Sequence, residues 1–228
     1  MISNNNFKKW SSYLIISGCI QFIILTTISM FFYKGGTYID PSTSNYIFEY
    51  NVFSDLGRTV AHSGVSNTIS FILFIITLSL FGITQMPFYV SFLSFFKNSN
   101  DLNRLSIAGS ILGIVNNVSY VGIAFTPSDI IDFLHDILVV IAFSSIFISY
   151  ILYSRVIFKD KNYPNFYASI LAVSAIIIGA YFVFLILAQS STTPIGLFIY
   201  AFGQKLMIYT LLICGIIQGF GALKRLTS

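Results

Sequence analysis

Charge is missing from most of this chain, and where it is missing limits what the chain can fold into. Charge-free runs cover residues 10–33, 63–96, 105–128, 137–154, 162–204 and 206–223, with lengths of 24, 34, 24, 18, 43 and 18 residues. About 20 apolar residues in a helix cross a hydrocarbon core of ~30 Å. Only 9% of residues are charged, against about 25% in a typical soluble domain. A water-facing surface cannot be built from so few charges. The runs therefore predict an all-α, polytopic six-transmembrane-helix bundle, a single membrane domain over 1–228. Spans are expected near 13–33, 66–94, 105–125, 127–154, 166–188 and 195–220. The polar stretch Gln189-Ser-Ser-Thr-Thr-Pro194 divides the longest run. Pro87 is expected to kink the second span or end its regular part.

The remaining charges orient the bundle. Lys8, Lys9, Lys97, Arg104, Arg155, Lys159, Lys161, Lys224 and Arg225 fall on one side, and only Lys34 and Arg58 on the other. Excess Lys/Arg marks the cytoplasmic side, so both termini are expected there. Short basic loops of this kind argue against a nucleic-acid partner. Acidic residues show the opposite bias: Asp40, Glu49, Asp55, Asp129, Asp132 and Asp136 lie outward, and Asp101 and Asp160 inward. Carboxylates hardly set topology, so this bias needs another cause, either a functional outer face or a solvated acidic surface. Cys19 and Cys214 fall inside spans, which excludes a disulfide framework. The apolar stretch after Lys9 is followed by no small-residue cleavage site and reads as a retained first helix.

Chemistry-bearing residues concentrate at the outer half. Residues 34–65 form the expected extracytoplasmic loop, long enough to be functional. Within it, Asp55, Arg58 and His62 would share a face if their segment is helical. The segment reads either as a lid over the bundle mouth or as an interfacial anchor capped by Ser54 or Asp55. Thr126-Pro-Ser-Asp129 has the form of a capping box with proline at the first helical position. Asp132, His135 and Asp136, at i, i+3 and i+4, share one helical face.

Lys205 lies deep in the last span, where a lone lysine costs about 2.5–3.5 kcal/mol. Asp136 or Asp132 is its expected partner. Asn67, Asn116, Asn117, Tyr120, Tyr200 and Gln204 fall at similar depth. Singly each reads as an interhelical hydrogen bond; together they predict a polar cavity opening outward. His62 and His135 with Asp55, Asp132 and Asp136 are suitable metal-ligand types, but their spacing matches no established motif, so no metal ligands are assigned. Asp55, His135 and Asp136 are the candidates for acid–base catalysis. There is no nucleophile elbow, P-loop or dinucleotide fingerprint, which leaves any cofactor unknown.

Three segments carry a resemblance: Phe53-Ser-Asp-Leu-Gly-Arg-Thr59, the turn Phe125-Thr-Pro-Ser-Asp129 followed by His135, and Gly203-Gln-Lys205. In order and spacing they resemble the mostly prokaryotic, six-helix membrane family named domain of unknown function 998. The chain departs from that pattern at Lys205, where arginine is more usual, and at Asp136, where glycine commonly follows the histidine. It is more distantly similar to the Frag and damage-regulated autophagy modulator family, some of whose members are linked to lipid-anchor remodelling. Ceramidase-like membrane hydrolases also use Ser, Asp and His, but they need three histidines and this chain has two.

The leading expectation is an outward-facing polar cavity that binds a membrane lipid or a small amphiphilic ligand, in the cytoplasmic membrane of a prokaryote. The alternatives are a lipid-modifying hydrolase built on the Asp/His cluster, with or without a metal, and a small-solute or proton-coupled transporter. No inverted repeat or broken-helix pair supports the transporter. Oligomeric state is left open.

Overall fold

The computed structural model describes residues 4–96, 100–187 and 193–227, and for residues 4 and 185–187 the backbone only. Six helices account for most of it: α1 (Asn4–Phe32), α2 (Thr68–Phe92), α3 (Asn100–Ala124), α4 (Asp132–Lys159), α5 (Asn165–Leu187) and α6 (Pro194–Thr227). Each is long and apolar enough to cross a membrane. Such runs of Ile, Leu, Phe and Val gain from helix formation because it satisfies every main-chain amide within the segment. Each helix packs on its neighbour in sequence, and α1 packs on α6, which closes the six into a ring.

Three boundaries differ from expectation. α2 continues through Pro87 to Phe92 and ends in a 3-10 turn over Leu93–Phe95, so the proline does not end the regular helix. α4 begins at Asp132, not near 127. Pro127 starts a separate turn whose carbonyl accepts from the Ile130 and Ile131 amides at 3.0 and 2.8 Å. Most of the polar break before α6, and Lys97 in the second loop, lie outside the described residues.

The middle of the ring is filled by rings and small hydroxyls. Phe81, Phe92, Tyr120 and Tyr153 are buried in the core. Serines join helices across it: Ser11 to Ser91 at 2.6 Å, Ser29 to Ser70 at 2.8 Å, and Ser149 Oγ to the Gly109 carbonyl at 2.8 Å. This is how helices associate where apolar burial offers little drive, through close approach and interhelical hydrogen bonds. The outward surface is as apolar as the inside. Phe31, Phe133, Ile176 and Ile195 are 83, 81, 70 and 75% exposed. A continuous surface of that kind suits lipid and not water.

At the end of the bundle that holds both termini, Arg225 of α6 donates to Asp160 at 2.8 Å and to the Phe95 carbonyl at 3.1 Å. Its guanidinium lies against the Phe95, Phe96 and Tyr163 rings. At the other end, residues 33–67 fold into the mouth of the ring.

The α2–α3 crossing depends on Gly82, where a Cβ would sit 2.6 Å from the Asn117 carbonyl oxygen. Gly82→Ala is expected to force the two helices apart and destabilise the fold by about 1–3 kcal/mol. Thermal unfolding of the detergent-solubilised protein measures this, and unchanged stability would contradict the close crossing.

Candidate functional site

The first loop is a plug. Val52, Phe53, Asp55, Leu56 and Ala61 are all buried, and Leu56 is fully so. Such a segment pairs some of its amides and carbonyls in local turns and in one isolated antiparallel bridge, Val60 to Ser66, and those left over need side-chain partners. Asn51 is the internal hub: its Nδ2 donates to the Gly36 carbonyl at 2.9 Å and to Asp55 Oδ2 at 2.9 Å, and its Oδ1 accepts from the Ile47 amide at 2.8 Å. Gly36 can take part because its φ of +82° is open to glycine, and a Cβ there would strike the Ser63 amide. Asp55 reaches back to the Val52 amide at 3.0 Å and so caps the 3-10 turn Phe53–Gly57, as the anchor reading expected.

The bundle then grips this plug from α6, from the turn before α4 and from α2. On α6, Gln204 Oε1 accepts from the Phe53 amide at 2.7 Å, and Lys205 Nζ donates to the Asn51 carbonyl. Lys205 is 1% exposed, with the Tyr46, Phe48 and Phe53 rings 5.4, 4.9 and 5.6 Å from its ammonium. The expected ion pair to Asp136 or Asp132 is not made: among the described residues no carboxylate lies within salt-bridge distance of Lys205. The buried ammonium faces the plug, where a carbonyl and ring faces replace its water, while Asp132 and Asp136 sit at the exposed rim.

The second grip is Asp129. It caps nothing in α4, contrary to the capping-box expectation, and Thr126 Oγ1 turns back to the Gly122 carbonyl at 3.1 Å. Asp129 instead accepts from the Thr59 hydroxyl at 2.6 Å and from the Thr59 and Val60 amides at 3.0 and 2.9 Å. Burial alone would raise its pKa, but these three donors outweigh it and hold the carboxyl below its ordinary value.

Between the plug, α4 and α6 lies a cavity of about 190 Å³. The structure brings Asp55, Arg58, His62, Asp132, His135, Asp136, Tyr200 and Gln204 together around it. Both histidines have their hydrogens placed by their partners. His135 Nδ1 is 2.6 Å from the Thr126 carbonyl, which can only accept, so Nδ1 carries hydrogen and the neutral ring keeps its lone pair on Nε2. His62 Nε2 is 3.0 Å from Asp55 Oδ1, which leaves the lone pair of the neutral ring on Nδ1. Among the described residues no three His, Cys, Asp or Glu side chains gather as a metal site. A second, apolar cavity of about 40 Å³ lies beneath, lined by Phe22, Phe74 and Phe143 among others. Ser54, His135, Val139 and Gln204 line both.

Besides Lys205, which faces the plug, four predicted site residues fall elsewhere. Asn67 is fully buried and donates to the Leu56 and Arg58 carbonyls at 3.2 and 3.0 Å, fastening the plug to α2. Asn116 bridges to the Ala142 carbonyl at 3.0 Å, and Asn117 to Gly113 of its own helix at 2.7 Å. These two line a separate small cavity deep in the ring. Tyr120 lines that cavity and the apolar one, not the polar mouth. The sequence reading missed Tyr38, Tyr50, Ser54, Ser128 and the hub Asn51. The i, i+4 spacing of Asn51 and Asp55 was the available signal for the hub.

Fold and site together define an all-α chain with six helices able to span a membrane and a polar cavity roofed by its first loop. The chain matches no protein-family model, no curated protein and no solved structure.

Two outcomes test the grips. Gln204→Leu leaves the Phe53 amide without an acceptor and is expected to cost about 1–3 kcal/mol of stability in a thermal or chemical melt. Because the Asp129 carboxyl is depressed in the fold, its contribution is complete above the ordinary value of about 3.9. It is lost as pH falls through the lower folded value. Amide hydrogen exchange at Thr59 and Val60, corrected for intrinsic rate, is expected to accelerate below that pH. In Asp129→Ala it is expected to be fast at every pH; slow exchange in that variant would remove the grip from the account.

Proposed function

We propose that this chain is a multi-pass protein of a prokaryotic cytoplasmic membrane that binds the polar head of a lipid or small amphiphile in its mouth cavity, which faces outward. One observation carries the reading: the polar cavity shares Ser54, His135, Val139 and Gln204 with an apolar cavity directly beneath it. At about 40 Å³ the apolar chamber has room for little more than the first methylenes next to a headgroup, so the pair suits the polar end of an amphiphile. The volume of about 190 Å³ falls below the ~300 Å³ at which small-molecule pockets begin, so it suits a headgroup and not a whole lipid. Orientation rests on the basic residues. Lys8, Lys9, Arg104, Arg155, Lys159, Lys161, Lys224 and Arg225 lie at the end opposite the plug, which supports a cytoplasmic position for that end. The prokaryotic setting rests on the resemblance of the Phe53–Thr59, Phe125–Asp129 and Gly203–Lys205 segments to the six-helix family named above.

A second reading, a lipid-modifying hydrolase, has its own observation. His135 and the Asp55–His62 pair border one chamber, and an imidazole with a fixed tautomer is a general base awaiting a proton donor.

The probes are short-chain lysophospholipids with choline, ethanolamine or glycerol heads, titrated into delipidated protein. At least one is expected to raise the unfolding temperature, and Asp136→Asn, at the exposed rim, to weaken it about three- to tenfold. No stabilisation by any of them would sink the binding reading. Release of fatty acid or headgroup that stops in a folded His135→Ala variant would put the hydrolase in its place.

A further inference from the structure

The outer surface of the α4–α5 pair carries a second concavity, of about 750 Å³, which shares no lining residue with the mouth cavity. Its α5 side carries the small residues Ala172, Ala175, Gly179 and Ala180, with Ile176, Phe182 and Val183 beside them. Its α4 side is lined by large ones, with the Phe147 ring so near Gly179 that a Cβ there would lie 2.8 Å away. The wall is almost wholly hydrocarbon until α4 nears its end. There Arg155 and Lys159, four residues apart on one helical face, join the lining.

Among the described residues these two cations have no anion of their own. Both side chains are exposed, and neither makes an ion pair among the described residues. The adjacent carboxylate, Asp160, is bound to Arg225 at 2.8 Å. The groove also has a definite depth. From Phe147 to Lys159 the α4 lining runs for about 18 Å at the helical rise. One leaflet of a ~30 Å hydrocarbon core is about 15 Å deep. A groove one leaflet deep, with paired cations at its headgroup end, has the dimensions and the charge of a phospholipid with a negative head.

We propose that this groove is a binding site for an anionic glycerophospholipid of the leaflet on the basic side. One acyl chain lies along the small residues of α5, and the phosphate sits between Arg155 and Lys159. A second copy of the chain fits poorly there, since a two-fold contact would bring the same two cations against themselves. The proposal needs the helices to lie in a membrane, but it does not depend on what the mouth cavity binds.

The test is native mass spectrometry of delipidated protein in detergent, titrated with dioleoylphosphatidylglycerol, dioleoylphosphatidylcholine or inorganic phosphate, with thermal unfolding alongside. The glycerol lipid is expected to bind about tenfold or more tighter than the choline lipid, and inorganic phosphate to add no stability. R155Q/K159Q is expected to fold, both side chains being exposed, and to bind the two lipids equally. K159Q alone should fall between. Ala180→Phe, which fills the groove, is expected to weaken both lipids. Equal binding of both lipids by the unaltered protein would overturn the proposal, and so would a preference that survives the double substitution. A dimer that Ala180→Phe dissociates would assign the groove to a second copy instead.

Discussion

An irregular chain folded into the end of an apolar bundle must find a partner for each amide and carbonyl it buries, and the rest of this mouth follows from how that is done. Water is scarce there and no strand lies alongside to share a ladder. Local turns and the Val60–Ser66 bridge pair part of the chain, and side chains of the bundle pair more: Gln204 and Lys205 from α6, Asn67 at the head of α2, and Asp129 from the turn before α4. Together they hold the plug against α2 and α6 and tie one edge of it to the turn before α4. The space left between plug, α4 and α6 is the polar cavity. The cavity is therefore a product of the anchoring, and apart from Asp55 the carboxylates around it, Asp132 and Asp136, are ones that the anchoring does not use.

That division sorts the ionisable residues into two kinds. Lys205 and Asp129 are engaged by the plug. Asp132 and Asp136 stand at the rim, and His135 keeps one ring nitrogen for whatever enters. Asp55 belongs to both groups, since one oxygen holds the Asn51 side chain and the Val52 amide and the other orients His62.

Helix number and approximate placement were legible in the sequence because they depend only on where charge is absent, a property of single residues summed over a run. Asp55, Arg58, His62, Asp132, His135 and Asp136 were legible as a set for a related reason: charged groups in so apolar a chain collect where water can reach them. Partnerships were not legible. The Lys205–Asp136 pairing rested on charge and depth, but the nearest acceptor proved to be a main-chain carbonyl of a loop 154 residues away in sequence. Asp129 fits a local capping pattern, yet three donors from residues 59 and 60 outcompete the cap. Local patterns describe what a residue can do within its own helix. They carry no information on what another segment brings to it. Asn116 and Asn117 show the same limit, since depth along the helix is readable while the direction faced within the ring is not.

α6 is the longest element, 34 residues or about 50 Å at the helical rise, and exceeds a bilayer even with its headgroup layers. It is fastened near one tip, Arg225 to Asp160, and about a third of the way in from the other, where Gln204 and Lys205 hold the plug. It thus behaves as a tie rod between the two faces. Any tilt or axial slip imposed where Arg225 is held reaches the amides of residues 51–53 without passing through a flexible joint, because an unbroken helix is stiff along its axis. The roof of the chamber and the far side of the bundle are thereby joined by one unbroken element, with no flexible link between them.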